Sequence, residues 1–215
     1  MARMPWEITR EMFLDEAEVG LLLGKIRHAL SVAKGRDLAA GRHDQLILET
    51  LLFSGLRNSE FCRLKLSDTI LGHGKPALVV RGRGQEERTV FVPGHLNDLI
   101  RAYVRQVRPI LLPDGVAADD LDQALVFNEH RQPYERTGLY RRVVRILTAA
   151  GLGDRACVQI LRHTYGYLAY LRTGGNLLFV QRQLGHAHPM VTAIYAEFVS
   201  ESYGDMADKV GSNGP

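Results

Sequence analysis

One short stretch of β-type sequence inside an otherwise helical chain limits the folds open to these 215 residues. From Leu14 to Leu64 the apolar residues recur at helical spacing. The period then drops to two in Ala77-Leu78-Val79-Val80-Arg81 and in Arg88-Thr89-Val90-Phe91-Val92. Between them lies Gly82-Arg83-Gly84-Gln85-Glu86-Glu87, a glycine-bearing turn, so the pair predicts a hairpin. After Pro133 the helical pattern returns and runs to the end. The expected fold class is mainly α with a small antiparallel β-sheet, in a single domain over residues 1–215.

The helix boundaries follow from local signals. Leu14-Asp15-Glu16-Ala17-Glu18 places a capping Asp15 three residues before Glu18, with Leu14 as a staple. That first helix is expected to turn Leu21, Leu22, Leu23 and Ile26 inward and to fade near Ala33-Lys34-Gly35. A second is expected from about Asp44 to Ser54, interrupted by Gly55, and a short third over Asn58–Leu64. Leu96–Arg108 predicts a fourth, followed by an acidic loop over Pro113–Asp122 and a short strand over Ala124–Phe127. Further helices are expected over Arg136–Ala150, Gln159–Leu171, Leu177–Leu184 and Pro189–Phe198, with a weak amphipathic tail over Glu201–Val210.

Several function classes are excluded by what is missing. Two cysteines, Cys62 and Cys157, rule out a disulfide framework and a Cys-rich zinc cluster. No apolar run reaches the roughly 18 residues of a membrane span, and residues 1–10 lack a signal-peptide core, so a cytoplasmic protein with no membrane partner is expected. His186-Ala187-His188 has no third ligand at convincing spacing, so no metal site is expected. Gly82-Arg83-Gly84 lacks the Gly-Lys-Ser/Thr that completes a phosphate loop, and Ser54 does not sit in a nucleophile elbow.

The charge distribution points to a polyanion. Only five of the 27 basic residues are lysine. Residues 57–110 carry ten basic against five acidic groups, and residues 131–195 carry nine against two. Residues 111–130 hold five acids and no Lys or Arg. Two basic blocks around an acidic loop suit a nucleic-acid-binding face, although arginines scattered over a solvated surface give the same counts.

Five segments in order carry the chemistry: Ser54-Gly55-Leu56-Arg57-Asn58-Ser59-Glu60, the basic hairpin, Gln159-Ile160-Leu161-Arg162-His163-Thr164, Leu184-Gly185-His186, and Tyr195 nine residues on. Guanidinium groups can hold two oxygens of a phosphodiester by paired hydrogen bonds. A tyrosine hydroxyl, with a pKa near 10, needs neighbouring donors and positive charge before it can act as a nucleophile. Catalysis by such a set is positioning plus electrostatic stabilisation.

In this order and spacing the segments resemble the tyrosine recombinase (phage integrase) family, over nearly the whole chain from Leu14 to Tyr195. The resemblance implies the integrase catalytic-domain fold, of the DNA breaking-rejoining type, and site-specific recombination by integration, excision or inversion. Tyr195 would attack the scissile phosphate to give a 3′-phosphotyrosyl link and a free 5′-hydroxyl, with no cofactor. Arg57 and Arg162 match the two arginines that clamp the phosphate, and His186 the family's second histidine. The implied partner is double-stranded DNA, bound in the nucleoid by a protein that is monomeric when free and a homotetramer on DNA. A core over residues 14–198 would carry a tail over 199–215 that exchanges between protomers, with Val199, Tyr203 and Met206 as its apolar contacts.

The match departs from the family at two site positions and in length. Arg83 stands where the family's hairpin has a lysine, and no lysine lies between Lys75 and Lys209 to replace it. A guanidinium stabilises charge there but is a poor proton donor. Gln159 stands where the family has a histidine three residues before its second arginine, and it can donate a neutral hydrogen bond to a phosphate oxygen. No N-terminal core-binding domain is expected, because only about 13 residues precede the first matching helix; a short recombinase and a fragment of a longer one both fit. Taken singly, Arg57 and Arg162 also suit salt bridges near Glu60 and Asp154, His186 a helix cap, and Tyr195 a core position. His163 reads as packing or as orienting Arg162. Two competing functions remain: a catalytically weak or inactive DNA-binding accessory protein of the same fold, which Arg83 and Gln159 favour, and a type IB topoisomerase, which the Leu-Gly-His segment disfavours.

Overall fold

The computed structural model describes residues 8–72, 74–82, 87–187 and 190–199. Helix α1 (Glu16–Val32) starts as its sequence predicts. The Asp15 carboxylate accepts from the Glu18 amide at 2.8 Å, and the Asp15 amide donates to Glu18 Oε2 at 2.9 Å. Its inward face is narrower than expected: Leu22 is buried, but Leu21 is 68% exposed. Consecutive residues on a helix point about 100° apart, so three adjacent leucines cannot share one face.

Helix α2 (Gly35–Ser54) begins nine residues before the expected Asp44. Its first two turns, Gly35–Arg42, carry one large apolar residue, Leu38, and so no stripe to read. From Leu46 to Leu52 it is nearly all buried, and it packs against α1 and three later helices. It stops at Gly55, whose φ of +63° and amide bond to Leu51 O form the cap. A Cβ there would lie 2.5 Å from Tyr165 and 2.7 Å from Leu184. The chain then turns at once into α3 (Asn58–Arg63).

The sheet adds one strand to the expected hairpin. β1 (Thr69–Ile70), β2 (Ala77–Arg81) and β3 (Glu87–Phe91) are antiparallel in the order β1-β2-β3, with Val79 opposite Thr89. β1 is two residues long, too short for an alternating pattern to declare itself. Leu78, Val80 and Val90 face the helices. Arg83, at the hairpin turn, lies outside the described residues, as does the tail from 200 onward.

Helix α4 (Gly94–Gln106) is followed by α5 (Arg108–Leu111). The strand expected over Ala124–Phe127 does not form: Ala124 makes a single bridge to Lys65 and Phe127 one to Pro133. The apolar run there is a buried connector, with Leu125 and Phe127 fully enclosed. Arg108, also enclosed, donates to Ala118 O at 2.8 Å and Ala124 O at 3.0 Å, and so pins the acidic loop.

Helices α6 (Arg136–Ala149), α7 (Val158–Arg172) and α8 (Leu177–Leu184) lie within a residue of their expected bounds. Helix α9 (Met190–Ala193) is shorter than expected, and a 3-10 turn over Ala196–Phe198 follows it. A second apolar cluster, of Ile8, Phe13, Tyr165, Val180, Leu184 and Tyr195, closes the α7–α8 end of the molecule. Among the described residues no helix is long and apolar enough to cross a membrane.

Candidate active site

The C-terminal end of α8 organises the site. Carbonyls in the last turn of a helix lack intrahelical donors and carry partial negative charge. Here three in succession each receive an arginine. Gln183 O accepts from Arg88 Nε at 3.2 Å, Leu184 O from Arg162 Nη2 at 2.8 Å, and Gly185 O from Arg57 Nη2 at 3.1 Å. The arginines come from β3, α7 and the residue capping α3, so one helix end gathers three distant elements. Gly185, at φ +63°, makes this approach possible: a Cβ there would stand 2.9 Å from Arg88 Nε.

A buried carboxylate ties two of these arginines together. Arg88 donates to Glu60 through both Nη atoms, at 2.7 and 2.9 Å. Arg57 Nη1 donates to Glu60 Oε1 at 2.9 Å, and the Arg57 amide to Oε2 at 2.7 Å. Burial alone would raise the Glu60 pKa; the Arg88 hydrogen bonds, the Arg57 amide and the nearby positive charge outweigh it and hold the group at about 2. The Arg57 side chain remains 45% exposed, so it is oriented by Glu60 yet open to solvent.

Arg162 is in a different state, 4% exposed between the ends of two helices. Its other contact is Nη1 to Gly55 O, 2.5 Å away. Burial, and next the charge of Arg57, lower its pKa to about 10. It does not pair with Asp154, the salt-bridge partner that the sequence had offered it. His186 follows Gly185, with Nδ1 2.9 Å from Thr192 Oγ1. Burial and the surrounding arginines, Arg162 foremost, bring its pKa down to about 3, which leaves a neutral imidazole at neutral pH.

Arg57 and His186 line an open cleft of about 930 Å³ together with Arg63, Arg81, Arg88 and Arg136. Tyr195 and Arg162 are not part of that lining. Tyr195 is 1% exposed, with its ring laid across Gly166 of α7, where a Cβ would fall 2.2 Å from Cζ. Its Oη is 3.2 Å from His163 Nδ1. Burial pushes the phenol up to about 12, against the opposing pull of Arg162. Gln159 contacts His163 rather than the cleft, Nε2 to Nε2 at 3.3 Å.

The structure therefore brings Arg57, Arg162 and His186 together around the C-terminal end of α8, and joins Tyr195 and Gln159 through His163. Sequence reasoning passed over Arg88, Gly166 and the bridging role of His163. Gln159, His163 and Gly166 fall on one face of α7 at spacings of four and three, and that periodicity was the available signal.

Comparison with known proteins agrees with this architecture. The pattern of the phage integrase family matches residues 13–201. Tyrosine recombinase XerC of Halalkalibacterium halodurans is 31% identical over 194 residues, covering 90% of this chain and 60% of the relative. Tyrosine recombinase XerD of Xanthomonas axonopodis pv. citri is 34% identical over 170 residues, covering 78% and 54%. The chain thus spans roughly half the length of the curated relatives it matches. Among solved structures, the post-cleavage complex of XerH site-specific recombinase with a palindromic difH substrate superposes with a TM-score of 0.71 at 25% identity, covering 93% of this chain and 53% of XerH. The catalytic domain of bacteriophage HP1 integrase, 22% identical, shares the fold with a TM-score of 0.52, over 91% of this chain and 93% of that domain. With a helical body, a three-stranded sheet and the ordered arginine, histidine and tyrosine segments all in place, this chain belongs to the phage integrase family.

Proposed function

We propose that this chain is the catalytic domain of a site-specific DNA recombinase that cleaves and rejoins strands through Tyr195. The observation that carries the reading is the set of three consecutive carbonyls, 183–185, which gathers Arg88, Arg162 and Arg57 beside His186. Arg57, exposed and held by Glu60, is placed to receive a phosphodiester oxygen in the arginine-lined cleft. Neutral His186 offers its Nε2 to a second oxygen, since Nδ1 is engaged by Thr192. Arg162 supplies buried positive charge where the pentavalent phosphate develops its own negative charge. Arg83 and Gln159 complete the set at the family's lysine and histidine positions, Arg83 as a charge stabiliser on the hairpin turn.

Tyr195 Oη attacks phosphorus, the P–O5′ bond breaks, and a 3′-phosphotyrosyl link and a 5′-hydroxyl result. Attack by the partner strand's 5′-hydroxyl reverses the step and conserves bond energy. Because the phenol is enclosed, the site must open around it before the phosphate can reach Oη. The catalytic core comprises residues 14–198, with the tail beyond it exchanged between protomers in a homotetramer on duplex DNA. The site of action is the cytoplasm, at the nucleoid.

Covalent trapping tests the reading. The protein is mixed with nicked duplexes whose arms are randomised, so that the short cleaved fragment diffuses away, and nucleotide-bearing peptides are mapped by mass spectrometry. An adduct on Tyr195 that Tyr195→Phe abolishes, with DNA binding retained, is the expected result. Tight binding with no adduct would instead identify an accessory protein of the same fold.

A further inference from the structure

The family resemblance puts a histidine where this chain has Gln159, and an amide cannot accept a proton from a phenol at neutral pH. The described residues nevertheless place an imidazole against the nucleophile. His163 Nδ1 lies 3.2 Å from Tyr195 Oη, and Gln159 meets the other ring nitrogen at 3.3 Å. Gln159, His163 and Gly166, on which the phenol rests, form one face of α7. We propose that His163 is the general base that takes the proton from Tyr195 as it attacks, and that Gln159 selects the imidazole tautomer able to do so. The inference rests on the reading of Tyr195 as nucleophile.

Two arrangements of this trio exist. With the Gln159 Nε2 group donating to His163 Nε2, the imidazole carries its proton on Nδ1 and donates it to Tyr195 Oη. A half-turn of the amide presents Oε1 instead; Nε2–H then donates to Gln159, and Nδ1 accepts from the phenol. Gln159 is exposed and free to make that turn. The second arrangement is the competent one. The groups acting on His163 are Arg162, which precedes it on the helix and opposes a second ring proton, and the polar Gln159 and Tyr195. Burial and Arg162 depress the His163 pKa to about 4, so the ring is neutral at physiological pH and keeps one nitrogen unprotonated.

In the step itself, the Tyr195 proton passes to Nδ1 while Oη bonds to phosphorus and P–O5′ breaks. The departing 5′-oxygen takes a proton from water, and the imidazolium returns one to water. Rejoining runs the same transfers backwards, with His163 giving its proton to the leaving phenolate.

The test uses the trapping duplexes with sulfur in place of the scissile 5′-oxygen. A thiolate departs without being protonated, so the rate reports on deprotonation of the nucleophile alone. Single-turnover cleavage is followed for the wild type, His163→Ala and His163→Gln between pH 5.5 and 9, with DNA retention as the check on folding. Loss of the base is expected to slow cleavage at pH 7 by about a hundredfold or more. The variants should then accelerate roughly tenfold per pH unit, as hydroxide takes over, while the wild type stays flat. Added imidazole should restore His163→Ala but not Tyr195→Phe. Wild-type rates in the variants would overturn the proposal. So would faster cleavage, which would mean that His163 only restrains the phenol. A uniform loss at every pH with no response to imidazole would make His163 a packing residue and overturn it equally. Absence of any wild-type adduct on Tyr195 would sink the nucleophile assignment itself, an outcome distinct from the other three.

Discussion

At the scale of single residues, the most consequential group is a buried carboxylate. Glu60 accepts both guanidinium nitrogens of Arg88 and one of Arg57, and it is almost fully buried. A buried ion pair adds little over a well-packed apolar pair, but removing one partner leaves the other charge uncompensated. Glu60→Gln keeps the volume and loses the charge. It is expected to lower the unfolding free energy by on the order of 3 kcal/mol, seen as an earlier urea midpoint, and to reduce cleavage because Arg57 loses the group that orients it. An unchanged midpoint would show that Arg88 finds other compensation. The Arg57–Glu60 half of this cluster was legible beforehand, since the two are three residues apart at a helix start. The Arg88 half joins residues 28 apart, through a sheet strand whose arginine looked like any basic residue of the hairpin. Arg162 illustrates the same limit, because its partners are backbone carbonyls, which no side-chain pattern encodes.

At the scale of elements, what could be read from the chain was amphipathic periodicity and its terminators. Helices α6, α7 and α8 carry both and were located closely. The first two turns of α2 carry neither, and the apolar run at Ala124–Phe127 has strand-like composition but bridges instead of a ladder. The helical stretch expected through Phe198 ends at Ala193, and Tyr195 turns down onto α7 over Gly166. In an open helix position Gly→Ala gains up to about 1 kcal/mol from propensity. At Gly166 the methyl group would occupy the place of the phenol, so the substitution should drive Tyr195 out of its slot. Nitration by tetranitromethane, mapped by mass spectrometry, reads this directly. Tyr195 should be protected in the wild type and modified in Gly166→Ala as readily as the exposed Tyr140. Continued protection would mean that the ring is held by contacts other than this one.

At the scale of the whole molecule, three buried or half-buried histidines make the fold sensitive to acid. His43 lies in α2 under Tyr134, with Nε2 3.0 Å from the Tyr134 hydroxyl and no partner for Nδ1 among the described residues. Burial, and after it the charge of Arg142, bring its pKa from 6.5 down to about 4; Arg145 acts in the same sense and Glu129 against. His163 and His186 are lowered as well, to about 4 and about 3. A group whose folded pKa is depressed gives full stability above its unfolded value. Between the two values the unfolded chain binds protons that the folded chain refuses, so stability falls with pH from about 6.5 towards 4. Glu60, held at about 2, works in the same direction but only below its usual value of 4.5. For His43 alone the loss at pH 5 is about 2 kcal/mol, which lowers the melting temperature of a domain this size by roughly 4–8 °C. The other two histidines act in the same direction. His43→Gln retains an amide nitrogen for Tyr134 and cannot be charged, so its melting temperature should fall less than the wild type's between pH 7.5 and 5. Parallel declines in the two proteins would place the acid-sensitive group elsewhere, and a His163→Gln, His186→Gln pair scanned over the same range would then say whether it lies in the active site.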